Sequence, residues 1–76
     1  MTRPLHEIGR EIKKSWPKVN FAAAPYLDAM CLMNSAEDNF GFDSGESIIA
    51  YFLSNANSWR GEDAKRIKNE LKSMIR

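Results

Sequence analysis

The sequence has a single cysteine, Cys31, and a single histidine, His6. One cysteine excludes an intramolecular disulfide and leaves too few ligands for a cysteine-based zinc site. Because Cys31 lies between Met30 and Leu32, we interpret it as a small core side chain and not as a reactive thiol. We interpret His6 as a surface or half-buried imidazole. The sequence therefore predicts no catalytic residue, no bound metal and no cofactor.

Long apolar runs are also missing. The first residues lack the apolar segment of a signal peptide, and no run approaches the roughly 20 apolar residues of a membrane span. These absences predict a cytoplasmic protein with no membrane contact. The five acids of the middle segment lack the spacing of a calcium loop, and no glycine-rich phosphate loop is present.

Basic residues are missing from the middle of the chain. Residues 19–59 contain no lysine or arginine and have a net charge of −5, whereas residues 1–18 and 60–76 have a net charge of +3 each. This asymmetry is the strongest functional indication in the sequence, because it predicts binding to a charged partner. It also leaves open a homo-oligomer in which the acidic middle of one copy meets the basic ends of another.

Apolar residues recur at helical spacing, which predicts that residues 1–76 form one all-α domain, a compact bundle of about four short helices. The first helix has Thr2 as its cap and ends before Pro17. The second begins near Ala22, since Pro25 fits only its first turn. The predicted apolar faces of the first, second and fourth helices are Leu5, Ile8, Ile12 and Trp16; Tyr26, Leu27, Met30 and Met33; and Ala64, Ile67, Leu71 and Ile75.

The third predicted helix is the most buried of the four. Residues 48–53 are all apolar or aromatic, so the helix has no polar side and should be covered nearly all round. Asp43 would cap it, with Glu46 closing a capping box. Residues 34–43 read as a loop in which Gly41 adopts a positive φ.

A stripe of basic residues follows the fourth helix. Lys65, Lys68, Lys72 and Arg76 recur at spacings of three, four and four, next to the apolar stripe. This stripe, together with Trp59 and Arg60, is the candidate macromolecule-binding surface, extended by Arg10, Lys13 and Lys14 if the first and fourth helices are neighbours. The alternative is an ordinary solvated face whose lysine stems cover apolar surface. A helix-turn-helix built from the last two helices is a weaker alternative, because their connection is long.

Three aromatic residues lie near predicted turns, Phe40, Phe42 and Trp59. Such rings most often pack on the core. Exposed at loop tips, they would instead anchor a protein partner.

Several sequence strings together resemble a group of small uncharacterised proteins of bacteriophages, prophages and bacterial mobile elements. The strings are PYLDAM (25–30), DSG (43–45), SII (47–49), YFLSNA (51–56), WRGE (59–62), AKRIK (64–68) and ELK (70–72), with Trp16, Phe21 and Ala23 ahead of them. The resemblance covers most of the chain and implies a mobile-element origin. It implies no catalytic residue and no ligand.

The function predicted from the sequence is non-enzymatic binding of another macromolecule. A protein partner is the first expectation, and in a phage it would be a component of a host process or of a bacterial defence system. Nucleic-acid binding through the basic stripe is the alternative.

Overall fold

The computed structural model describes residues 3–41 and 43–75, without the side chain of Phe40. Within these ranges the elements are α1 (Leu5–Ser15), α2 (Ala24–Met30), β1 (Asn39–Phe40), β2 (Asp43–Ser44), α3 (Gly45–Ser54) and α4 (Glu62–Ser73). The predicted all-α bundle of four short helices is confirmed. The predictions made for Thr2, Phe42, Arg76 and the ring of Phe40 lie outside the described residues.

Helix α1 follows its predicted pattern closely. Leu5, Ile8 and Ile12 are completely buried, and Trp16 is buried just beyond the last turn. The helix ends at Ser15, before Pro17. The backbone amides of Leu5 and His6 donate to the carbonyls of Asn34 and Met33, both at 2.9 Å, so the segment after α2 satisfies the free amides at the start of α1.

Helix α2 begins at Ala24, two residues later than predicted. The Asn20 side chain accepts a hydrogen bond from the Ala23 amide at 2.8 Å and so stabilises a turn ahead of the helix. The Asn20 amide group also donates to the carbonyl of Asn55 at 2.9 Å. One side chain therefore links the segment before α2 to the segment after α3.

A short hairpin replaces part of the predicted loop. Strands β1 and β2 pair antiparallel, with Asn39 opposite Ser44 and Phe40 opposite Asp43. Gly41 in the turn has a φ of +66°, the left-handed region that glycine adopts without strain, and this confirms its predicted role. The hairpin leads directly into α3.

The cap of α3 lies one residue later than predicted, because Asp43 belongs to the hairpin. Ser44 is the cap, and its hydroxyl accepts from the Ser47 amide at 3.1 Å. Gly45 is the first residue of the helix, and its backbone lies close to the backbone of Ala36. A Cβ at this position would lie 2.7 Å from the carbonyl oxygen of Ala36, which explains why glycine occurs here.

Helix α3 packs against α2, α4 and the hairpin, and it buries Ile48, Ile49 and Phe52. The prediction that it is covered nearly all round is wrong, because Ala50 is exposed and Tyr51 is 49% exposed. Tyr51 instead contacts Tyr26 of α2, with ring centroids 5.4 Å apart. Three covering elements leave one side of a ten-residue helix open to solvent.

Three aromatic rings from distant positions form the centre of the core. The indole rings of Trp16 and Trp59 are stacked, with centroids 5.5 Å apart and planes 5° from parallel. The Phe52 ring meets both edge-on, at 6.2 Å and 6.3 Å. Stacked and edge-to-face pairs are the favoured geometries of aromatic rings. The cluster joins the end of α1, the middle of α3 and the α3–α4 connection.

Helix α4 completes the bundle by packing against α1 and α3. It buries Ala64, Ile67 and Leu71, and Ile75 is partly buried after the helix has ended. The connection from α3 spans residues 55–61. It is longer than the turn of about three or four residues in a helix-turn-helix, so the structure does not favour that alternative.

Candidate anion-binding groove

An open groove of about 430 Å³ lies between the α3–α4 connection and the exposed flank of α4. We call it the α4 groove. Its lining consists of Trp59, Arg60, Gly61, Ala64, Lys65, Lys68, Asn69 and Lys72. Five of the six residues predicted for the binding surface are therefore brought together, and the sixth, Arg76, is outside the described residues. The helical spacing of the lysines places them on one side of α4, beside its buried stripe.

Trp59 belongs to the core and forms the base of the groove. It is only 3% exposed and is stacked on Trp16. Of the two readings of its ring, packing on the core is confirmed and an exposed anchor for a partner is excluded. The physical reason is that Trp16 and Phe52 provide a large apolar surface, which the sequence places 43 and 7 residues away from Trp59.

Lys68 is partly buried and holds the α3–α4 connection. Its ammonium group donates to the carbonyl oxygens of Ala56, at 2.7 Å, and Trp59, at 2.6 Å. It also lies 5.8 Å from the centroid of the Trp59 ring. Two of its three N–H donors are therefore used within the protein. Lys68 is therefore a structural residue of the groove. The charge-reversing substitution Lys68→Glu would affect folding as well as binding.

The groove has excess positive charge. Burial lowers the pKa of the Lys68 ammonium, and the positive charges of Lys72 and Arg60 lower it further. Arg60, Lys65 and Lys72 are exposed. None of the ion pairs within residues 3–41 and 43–75 involves any of these three residues. The described lining of the groove contains no acidic residue.

Another flank of α4 shows the contrasting arrangement, in which charges are paired with α1 and with Arg3 just before it. The Arg3 guanidinium donates to both oxygens of the Glu70 carboxylate, at 3.0 Å and 2.7 Å, and contacts Glu11 at 2.7 Å. Arg66 contacts Glu11 at 2.6 Å. We call these four residues the α1–α4 ion network. Arg66 also contacts Asp63 at 3.6 Å, in place of the helical pairs with Glu62 and Glu70 that the spacing suggests.

Hydrogen bonds within this network lower the pKa of both carboxyl groups. Arg66 contributes most to the lowered pKa of Glu11, and Arg3 is the next cause. Arg3 is also the main cause of the lowered pKa of Glu70. Both carboxylates therefore remain charged at neutral pH and hold α1 against α4.

The predicted extension of the basic surface onto α1 depended on α1 and α4 being neighbours, and they are in contact. The basic residues of α1 nevertheless do not line the α4 groove. Lys13 pairs with Asp28 of α2 at 3.2 Å. Arg10 and Lys14 line a different depression, together with Arg3, Glu7 and Glu11. The hypothesis of one basic face across both helices is wrong, because the α1–α4 ion network neutralises the flank of α4 that faces α1.

Neither His6 nor Cys31 lines the α4 groove. His6 is partly buried, and its Nδ1 has no hydrogen-bond partner among the described residues. Cys31 is partly buried against α1, where a Cβ on Gly9 would lie 2.7 Å from its Sγ. Within the described ranges, no three histidine, cysteine or acidic side chains are grouped in a way that would hold a metal ion.

Two exposed apolar side chains were not recognised from the sequence. Phe21 is 91% exposed and Leu32 is 76% exposed, on either side of α2. Phe21 lies in the turn before α2 and Leu32 in the turn after it. No periodic pattern marks them, since both lie outside a regular helix.

The chain matches no known protein-family model, and comparison with curated proteins and with solved structures gives no significant match. The mobile-element origin implied by the resemblance therefore stays a prediction. The longest helix in residues 3–41 and 43–75 has 12 residues, and none of the described helices has the length and apolar character needed to cross a bilayer.

Proposed function

We propose that this protein is a small non-enzymatic binding protein that contacts an anionic surface of another macromolecule through the α4 groove. The observation that carries the proposal is the cluster of Arg60, Lys65 and Lys72, exposed around one groove whose described lining has no acid. Clustered charges of one sign raise the local potential and attract partners of the opposite sign.

The contrast between the two flanks of α4 supports this interpretation. On the flank facing α1, Arg66 is paired with carboxylates, as is usual for bases that serve the fold. On the groove flank, the positive charges lie side by side and have no carboxylate partner among the described residues. The pKa of Lys68 is lowered first by burial and then by the neighbouring charges of Lys72 and Arg60. This arrangement costs folding stability, and an anionic partner would relieve the repulsion.

The chemistry of the lining supports binding and not catalysis. The described side chains around the groove are ammonium, guanidinium, amide, indole and methyl groups. General acid–base and nucleophilic catalysis generally use imidazole, carboxylate, hydroxyl or thiol groups, or an amine of strongly lowered pKa in an enclosed site. The groove is open, and Lys68, its one partly buried amine, donates to two backbone carbonyls.

A protein partner was the first expectation from the sequence, and an exposed Trp59 would have been one of its anchors. Trp59 is buried in the core, so it cannot serve as that anchor. The exposed side chains of Phe21 and Leu32 are not part of the lining of the α4 groove.

A pair of matched variants tests the proposal. The groove variant carries Lys65→Gln with Lys72→Gln, and the α1 control variant carries Arg10→Gln with Lys14→Gln. All four side chains are exposed, and both variants lose two positive charges. The measurement is the salt concentration at which each protein elutes from immobilised heparin, a generic polyanion.

We expect the groove variant to elute at clearly lower salt than the α1 control variant, which should elute close to the unmodified protein. Equal elution of the two variants would show that only net charge matters and would overturn the proposal. Circular dichroism confirms that both variants remain folded.

A further inference from the structure

We propose that the macromolecule bound by the α4 groove is a double-helical nucleic acid, contacted through its phosphate backbone and without reading of the base sequence. The inference rests on the proposed function and names its partner. It is argued from the spacing of the groove charges, from the absence of an exposed ring in the described lining, and from the kinds of side chain that remain.

The charges of the groove are spaced along an axis. Lys65 and Lys72 are separated by seven residues, which is about 10 Å along a helix. Duplex DNA carries a phosphate about every 3.4 Å of its axis along each strand, so this span covers about three phosphate spacings. Arg60 lies before the first turn of α4 and adds a third exposed positive charge to the same groove.

The groove lacks the apolar centre of a protein interface. Stable protein interfaces have an apolar, fully buried centre with aromatic anchors, surrounded by a polar rim. The one ring in the described lining is Trp59, and it is 3% exposed and already stacked. The exposed side chains are Arg60, Lys65, Asn69 and Lys72. Arginine, lysine and asparagine side chains are typical phosphate contacts.

The same observation favours a duplex over a single strand. Proteins that bind single strands stack bases on exposed aromatic side chains, at roughly 1–3 kcal/mol per base. No ring in the described lining is available for stacking, because Trp59 pairs with Trp16 and Phe52. The contact that remains is electrostatic, and such contacts depend weakly on base sequence.

Fluorescence anisotropy with a labelled 20-base-pair duplex at roughly 50 and 200 mM salt tests the inference. The other probes are the same strand alone, a second duplex of different sequence, and unlabelled polyglutamate of equal charge as competitor. Three phosphate contacts predict that duplex affinity falls about 40-fold between the two salt concentrations, whereas the single contact left in the groove variant predicts about 3.5-fold. The α1 control variant should behave like the unmodified protein.

Equal affinity for the two duplexes, together with weak competition by polyglutamate, is the result we expect. Unlabelled duplex serves as the reference competitor. If polyglutamate displaces the labelled duplex at the same concentration as unlabelled duplex, or at a lower one, the nucleic-acid assignment is overturned and the proposed function still stands. If the protein binds the single strand more tightly than the duplex, the assignment of a double-helical partner is overturned. If neither polyanion binds, or if both variants lose affinity equally, the inference and the proposed function both fail.

Discussion

Lys68 differs from its neighbours on α4 in what its ammonium group contacts. Lys65 and Lys72 extend into solvent, whereas Lys68 bonds to two backbone carbonyls of the α3–α4 connection. The sequence spacing places all three lysines on one stripe of α4, so it cannot predict which of them contacts the backbone and which extends into solvent. The difference arises from residues up to 12 positions away, which only the folded chain brings near.

At this scale we predict that Lys68→Met lowers the free energy of unfolding by about 1–3 kcal/mol. The Trp59 carbonyl loses its donor, and the Ala56 carbonyl keeps only the Trp59 amide. Lys65→Met, on the same stripe but exposed, should change it by less than about 0.5 kcal/mol. Urea denaturation followed by tryptophan fluorescence measures both values. Equal stabilities of the two variants would show that the Lys68 hydrogen bonds contribute nothing.

At the scale of the elements, local pattern predicted the helices better than their ends. The stripe from Leu5 to Trp16 repeats at helical spacing and predicted α1, whereas its C-terminal limit was predicted only because Pro17 follows. Strands of two residues have no periodicity, so the hairpin was read as a loop. Its pairing of Phe40 with Asp43 then moved the cap of α3 to Ser44. Tertiary contacts therefore decided the boundaries that local sequence left open.

The contact between α1 and α4 gives a prediction for acid stability. The folded-state pKa values of Glu11 and Glu70 are lowered from an ordinary value of 4.5. A group with a lowered pKa stabilises the fold above its unfolded pKa, and this contribution is lost as the pH falls through the folded pKa. We therefore expect stability to decrease below about pH 4.5 as the α1–α4 ion network is protonated.

Glu70→Gln tests this expectation. The variant should be less stable than the unmodified protein at pH 7, and the difference between them should shrink on acidification. Glu37→Gln, at an exposed position outside the network, is the matched control and should keep the pH profile of the unmodified protein. Thermal melts at several pH values measure the profiles. A difference that stays constant down to pH 3 would contradict a role for the ionised network.

At the scale of the whole molecule, charges of opposite sign are carried by different segments of the chain. Exposed Glu37, Asp43 and Glu46 lie at or before the start of α3, and the residues that line the α4 groove follow α3 in the sequence. The sequence predicted the surplus of each sign, since counting charges needs no structure. It could not predict that the bases of α1 are paired or face another depression, because that depends on which flank of α4 meets α1.

This layout leads to a prediction for self-association. Opposite charges on different segments favour weak contacts between the acidic residues of one copy and the α4 groove of another, and added salt screens them. We expect sedimentation at high protein concentration to show association at low salt and monomers at about 0.5 M salt. The groove variant should associate less than the α1 control variant. A monomer at low salt in every case would exclude this contact.

The central claim is that the α4 groove is the surface that meets an anionic partner. The most direct measurement is a two-dimensional ¹H–¹⁵N NMR titration of the protein with a short DNA duplex. The account predicts that the largest shifts are those of the Arg60, Lys65 and Lys72 amides and of the Asn69 side-chain amide, with Arg10 almost unchanged. Shifts centred on α1, or on Phe21 and Leu32, would contradict it.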